Sequence, residues 1–426
     1  MPLKVVVGTW GPLRSDSGGP YRVAYDLLRG LSSNDSSLQV YYSDFSRGFI
    51  QPLQKLGQDL GDDSLVKDRQ GMVRSVRVLA RGLIKYTIAN PVILDCVPKI
   101  AATRVRYFLA DLIQQVRFHL ARPRIAGILR EMPDQSILHI HGAAEMGDAL
   151  VFLLENIEKS CKVVWTEHSK GSVLREWEHL FGSRFVGTWG RGVRRAYEVL
   201  LRRADRVVFP SKGAVQLFEE YTGWKIPLER LRIIYNGVED PLLGLREPKR
   251  NLYEKGLFVT VAQHVPEKGL DWILEGLAMV KRPWRWVVVG GFTPWTASLR
   301  SLVRKYRLEA KVDFVGPLPR DEVFSLMARS EAVIHAPRVA VFDLALLEAM
   351  ALAKPILATP VGGNVEALGE EYPLFVRASE QLAKYIDEGN GKFYELVGQN
   401  NRKRFLEKFN IPAMVQSHVS LYREIW

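Results

Sequence analysis

Residues Ala332 to Asn364 read AVIHAPRVAVFDLALLEAMALAKPILATPVGGN. A short apolar run, Ala332 to His335, stops at a loop opened by Ala336-Pro337. Leu344 to Leu352 follows as a helix, Pro355 to Ala358 as a second strand, and Val361-Gly362-Gly363-Asn364 as a glycine loop. Strand, helix and strand in this order form a βαβ unit, whose two strands pair in parallel.

The same rhythm extends in both directions. Upstream lie strands at Leu257 to Val261, Trp286 to Val289 and Val312 to Val315, the first followed by Pro266-Glu267-Lys268-Gly269 and a helix. A polar stretch near Leu245 to Asn251 separates this half from an earlier one. There, strands are expected at Lys4 to Gly8, Leu38 to Tyr42, Ser136 to Ile140, Lys162 to Trp165, Arg206 to Phe209 and Leu231 to Tyr235. Helical spacing runs from Tyr21 to Leu31 and from Arg194 to Arg203. Alternation in both halves predicts an α/β protein with two Rossmann-like, doubly wound parallel sheets. The expected domains are 1–237, with a C-terminal helix at 410–426, and 238–409.

The 426 residues are too many for one ordinary core and comfortable for two. Apolar residues make up 47% and charged ones 25%, a balance that excludes a disordered chain. No stretch is apolar enough to span a bilayer, no secretory signal is legible, and two cysteines exclude a disulfide scaffold. A cytoplasmic protein is expected. The charge of +12 is concentrated between Ser64 and Arg130, where thirteen Lys or Arg face Asp68, Asp95 and Asp111. A field that local attracts phosphate. It suggests docking on an anionic inner membrane surface, with solvated helix faces as the plain alternative.

Several strand ends carry residues suited to chemistry. Gly18 and Gly19 read alone as an ordinary strand-to-helix turn, since no full G-x-G-x-x-G is present, although glycines at a helix start can also let backbone amides approach a phosphate. Lys268, in Glu267-Lys268-Gly269 at a strand end, could stabilise negative charge on a ligand, with a solvated surface Glu-Lys pair as the plain alternative. Glu348 is a carboxylate in an apolar helix, so it must be paired or bound to a ligand. His141 and His168 end two strands and can donate to a hydroxyl or a phosphate or act as acid or base; a lone His is more often structural, but two at neighbouring strand ends are less easily dismissed. A metal held by His139, His141 and His168 ranks below direct contact with an organic ligand, because no acidic pair is placed to complete it.

The succession Gly18-Gly19-x-x-Arg22, His139-x-His141, Thr166-x-His168, Ala204-Asp205-Arg206, Ser211, Asn236-Gly237-Val238, Glu267-Lys268-Gly269, Leu347-Glu348-Ala349-Met350-Ala351 and Gly362-Gly363-x-x-Glu366 resembles the retaining glycosyltransferases of family 4. The resemblance covers nearly the whole chain and is weakest from about residue 46 to 130. It implies the GT-B fold, two domains facing a cleft, and transfer from a nucleotide-diphosphate sugar with retention at the anomeric carbon. No metal or other cofactor is implied. The catalytic set would be Lys268, His141 and Glu348, the last holding the ribose hydroxyls. The donor would meet Gly18, Gly19, Gln263, Lys268, Arg338, Phe342, Leu344, Glu348, Gly362 and Gly363, and the acceptor Arg22 and His168. A glycan, lipid-linked or small-molecule acceptor fits synthesis of a cell-surface polysaccharide or glycoconjugate, with no nucleic acid involved.

Three positions depart from the family pattern. Ala340 stands where a sugar-contacting glutamate is usual, Gln263 where a phosphate-binding arginine is usual, and Asp343 where a glycine is usual. Asp343 adds negative charge near the expected phosphate loop. Arg338 or Arg22 is the expected compensating cation. The rival functions are a silent GT-B subunit, a sugar-nucleotide epimerase and, on charge alone, a nucleic-acid binder.

Overall fold

A computed structural model describes residues 2–10, 19–34, 38–46, 48–53, 118–142, 144–181, 183–243 and 253–426. Gly18 and the basic stretch as far as residue 117 lie outside them. Residues 118–131, the end of that stretch, are helical.

Among the described residues one sheet has seven strands in the order β3-β2-β1-β4-β5-β6-β7. They are β1 Leu3–Thr9, β2 Leu38–Asp44, β3 Phe49–Pro52, β4 Ser136–His141, β5 Lys162–Thr166, β6 Arg206–Phe209 and β7 Leu231–Ile233. β1 pairs in parallel with both β2 and β4, and β4 with β5. Val5, Val6 and Val7 are wholly buried, as a strand covered on both faces requires. β3 runs antiparallel to β2 and places Pro52 opposite Tyr41. A proline cannot donate to a ladder, so an edge is where it can sit.

The other sheet has five strands in the order β10-β9-β8-β11-β12: β8 Glu254–Val261, β9 Arg285–Val289, β10 Val312–Gly316, β11 Ser330–His335 and β12 Ile356–Ala358. All its pairings are parallel. Its core includes the fully buried Trp286, Phe258 and Leu347. Trp286 Nε1 donates to Thr260 Oγ1 at 2.9 Å, and that hydroxyl donates to Ile334 O at 2.8 Å. Two buried polar groups are thereby satisfied inside the apolar layer. Lys354, also buried, donates Nζ to Ala328 O in the last turn of the helix Arg320–Arg329 and to Ser330 O just past its end, and burial pulls its pKa down to about 8.

The chain divides into two compact units. The first comprises Met1–Arg14, Leu31–Val207 and Ile425–Trp426, and the second Ser15–Gly30 and Val208–Glu424. Among the described residues no helix is long and apolar enough to cross a membrane.

Candidate functional site

The five-stranded sheet reverses its winding between β8 and β11: β9 and β10 extend to one side of this point, β12 to the other. In open α/β sheets ligands bind at such a reversal, beyond the carboxyl ends of the strands. Here the loop after β8 tightens into a 3-10 turn, Pro266–Lys268, that ends on Gly269 at φ 65°. A Cβ on Gly269 would overlap the Ala336 carbonyl oxygen, so only glycine lets the two strand-end loops approach this closely. The loop after β11 leads to the helix Leu344–Ala351, with Asp343 at its N-cap.

These two loops bring Lys268 and Asp343 together. Lys268 Nζ donates to Asp343 Oδ2 at 2.7 Å, and His335 Nε2, at the end of β11, stands 3.2 Å from the same oxygen. The Lys268 and Asp343 side chains are only 15% and 19% exposed. Burial alone would push the Asp343 pKa up, but the Lys268 charge and the His335 ring hold it well below the usual carboxylate range.

One and a half turns into the same helix stands Glu348, mostly buried. Arg320 donates Nε to its Oε1 at 3.4 Å and NH1 to Glu239 Oε2 at 2.7 Å. Arg22 is bonded to Asp26 at 2.7 Å, and both charges act on Glu348. Burial raises the Glu348 pKa, and the Arg320 and Arg22 charges offset this in part. Arg22 therefore joins the surroundings of Glu348 within the second unit.

The glycine loop packs beside Ala340 and Val341. Gly362 has φ 45°, and a Cβ there would overlap the Ala340 carbonyl oxygen; one on Gly363 would overlap that of Val341. Gly363 begins the helix Gly363–Leu368. Glu366 on that helix accepts from Lys212 N at 3.0 Å and Gly213 N at 2.9 Å. It thereby satisfies first-turn donors of the helix Lys212–Thr222, whose N-cap Ser211 accepts from Ala214 N and donates to Val341 O.

In the first unit, β4 and β5 end side by side, with His141 opposite Thr166. His139 Nε2 meets Thr166 Oγ1 at 2.7 Å, and His141 Nδ1 meets His168 Nε2 at 3.0 Å. The His141 and His168 rings stack with centroids 5.3 Å apart. Glu167, buried and next to His168 in sequence, accepts from Ser169 N at 2.7 Å and from the Ser169 hydroxyl. Burial pushes its pKa up to about 7. Among the described residues no group of three or more His, Cys, Asp or Glu is arranged to hold a metal ion.

Residues 69–240 match the family model of Glycosyltransferase Family 4, and residues 245–404 that of Glycosyl transferases group 1. The chain belongs to these glycosyltransferases. It is similar to an uncharacterized glycosyltransferase of Methanocaldococcus jannaschii, 26% identical over 54% of this chain and 63% of that one. It is also similar to the GPI3 subunit of phosphatidylinositol N-acetylglucosaminyltransferase of Saccharomyces cerevisiae, 23% identical over 56% of this chain and 51% of that one. The O-antigen biosynthesis glycosyltransferase WclY of Escherichia coli is 24% identical over 64% of this chain and 72% of that protein. The chain thus spans between half and two thirds of the first two relatives.

Among solved structures, Anabaena HepE in complex with UDP and glucose superposes with a TM-score of 0.63, at 15% identity, over 99% of this chain and 100% of that one. Sucrose-phosphate synthase of Thermosynechococcus elongatus gives 0.62 at 17% identity over 100% and 99%. The expected α/β architecture with two parallel-strand sheets is that of the GT-B fold.

The remaining candidates occupy varied settings. Gln263 is exposed in the loop after β8. Arg338 forms a two-pronged ion pair with Asp271 at 2.9 and 2.8 Å, and its backbone N donates to Glu267 O. Its guanidinium is engaged by that carboxylate. Phe342 is buried, stacked on Tyr235 at 5.1 Å and edge-on to Phe409 at 5.5 Å. Leu344 is half-buried at the helix start, Ala340 is buried, and Gly19 begins the helix Gly19–Asn34. His335, Arg320, Asp26 and Glu167 escaped the sequence reading as site residues. His335 and Glu167 could have been found as polar residues at strand ends, whereas Arg320 and Asp26 look like ordinary helix-surface charges.

Proposed function

We propose that this protein transfers a sugar from a nucleotide-diphosphate donor, with retention at the anomeric carbon, to a glycan, lipid-linked or small-molecule acceptor. The observation that carries the reading is the meeting of Lys268 with the N-terminus of the Glu348 helix at the β8/β11 reversal. A cation at that point suits a diphosphate, and a loosely paired buried carboxylate five residues on suits two ribose hydroxyls. The UDP and glucose bound by HepE favour the same donor class.

In this reading Lys268 stabilises the charge that develops on the leaving diphosphate, which is the main catalytic contribution. Glu348 anchors the ribose. Gly19, Gly362 and Gly363 offer backbone to phosphate and sugar, as does Gly18, which lies outside the described residues. His141 contacts the transferred sugar, and His168 and Arg22 serve the acceptor. Residues 1–237 with 410–426 form the acceptor-side domain and 238–409 the donor-side domain. No metal is required. The GPI3 and WclY relatives favour a lipid-linked or polysaccharide product. The basic stretch 64–130 would then dock on an anionic inner leaflet.

A second reading, a silent subunit, is favoured by the Lys268–Asp343 pair, which occupies the cation. Incubation with UDP-, GDP- and dTDP-sugars and candidate acceptors, followed by proton NMR of the product, tests both. An α-linked product from an α-linked donor supports the proposal. A β-linked product overturns retention, and no release of nucleotide from any donor supports the silent subunit.

A further inference from the structure

We propose that Asp343 is an internal counter-anion for Lys268, occupying the ammonium until a nucleoside diphosphate displaces it, and that it thereby sets donor affinity. The inference rests on the donor-site reading of Lys268. Lys268 Nζ lies 2.7 Å from Asp343 Oδ2, with His335 Nε2 at 3.2 Å from the same atom. Both partners of the pair are largely shielded from water. Asp343 stands at the N-cap of the helix Leu344–Ala351 but makes no capping bond with its side chain. An aspartate at that position ordinarily turns back to its own helix amides. Here the carboxylate faces the ammonium instead.

The charge balance makes the consequence specific. Lys268 and Asp343 together are neutral, so a diphosphate arriving at Lys268 meets no net cation from this pair. It must separate the two, and once bound it lies near a carboxylate of like sign. Arg338 does not offset this, because its guanidinium pairs with Asp271. Removal of the Asp343 charge, with its shape kept, frees Lys268 for the phosphates.

The test is calorimetric titration of UDP, and of GDP and dTDP where UDP does not bind, into the full chain, comparing wild type with Asp343→Asn, Lys268→Met and the double variant. Asp343→Asn is expected to bind UDP at least about 10-fold more tightly, and the gain should vanish in the Lys268→Met background. Equal or weaker binding by a folded Asp343→Asn overturns the proposal and leaves the donor site standing. No UDP, GDP or dTDP binding by either protein overturns the donor-site reading itself. If Asp343→Asn does not fold, a crystal structure of the wild type with UDP decides. Lys268 on a phosphate and parted from Asp343 is the expected result, and an unbroken pair beside bound UDP contradicts it.

Discussion

Arg320 stands 3.4 Å from Glu348 and only 2.7 Å from Glu239, so the buried Glu348 carboxylate receives the weaker share of its nearest cation. A carboxylate so placed is costly to keep ionised, as its raised pKa records. The arrangement resembles a binding group held ready more than a structural ion pair.

Glu348→Gln should therefore separate stability from binding. A folded-state pKa above the unfolded one means that ionised Glu348 destabilises the native state at neutral pH, so the amide is expected to raise the melting temperature of the free protein. Loss of a charged acceptor for two hydroxyls should weaken nucleotide binding by about 2 kcal/mol, roughly 30-fold. Calorimetry and thermal melts measure the two effects, and a melting temperature that falls together with affinity would mean a structural role.

His141 and His168 share one hydrogen bond, which needs one protonated and one bare ring nitrogen. His168→Ala should lower kcat about 10-fold by releasing His141, and His141→Ala about 100-fold, with donor KM little changed in the first. Steady-state kinetics at saturating acceptor would show it. Unchanged kcat in His141→Ala would remove this ring from the chemistry.

Glu167 predicts a pH effect on stability. Its ordinary value is 4.5 and burial lifts it to about 7 in the folded state. The native protein then holds a proton that the unfolded chain gives up between those values. Stability contributed by this site is full below 4.5 and is lost as pH rises through 7, a difference on the order of 3 kcal/mol. Glu167→Gln keeps an oxygen for Ser169 N and removes the titration. Its stability relative to wild type should climb from pH 4.5 to 8 in urea unfolding; parallel pH profiles would contradict the assignment.

Gly362→Ala should destabilise the second unit by about 3 kcal/mol or more, because φ is 45° and the new Cβ would overlap the Ala340 carbonyl oxygen. Urea midpoints of the two proteins give the difference directly. A variant as stable as wild type would show that the loop has room to shift.

Much of this was legible in the chain, for a physical reason. Buried parallel strands such as Lys4 to Gly8 and Ala332 to His335 announce themselves as short apolar runs, and the helix carrying Glu348 as a longer one. The edge strand Phe49–Pro52 did not, since four residues ending in proline carry little pattern. Asp343 was visible as an unusual charge, but its partner lies 75 residues away on another loop, and only the β8/β11 pairing brings the two together. Arg338 showed the reverse: a cation at a promising loop is paired with Asp271. Linear spacing records which side chains are present, while the tertiary fold decides which of them are already neutralised.

The most direct measurement is a thermal-shift screen of UDP-, GDP- and dTDP-sugars against wild type, Lys268→Ala and Glu348→Ala. A donor that binds only the native state raises the melting point. At least one donor should stabilise the wild type, with the shift lost in both variants. A shift that survives both substitutions, or no shift from any donor, would contradict a donor site built on Lys268 and Glu348.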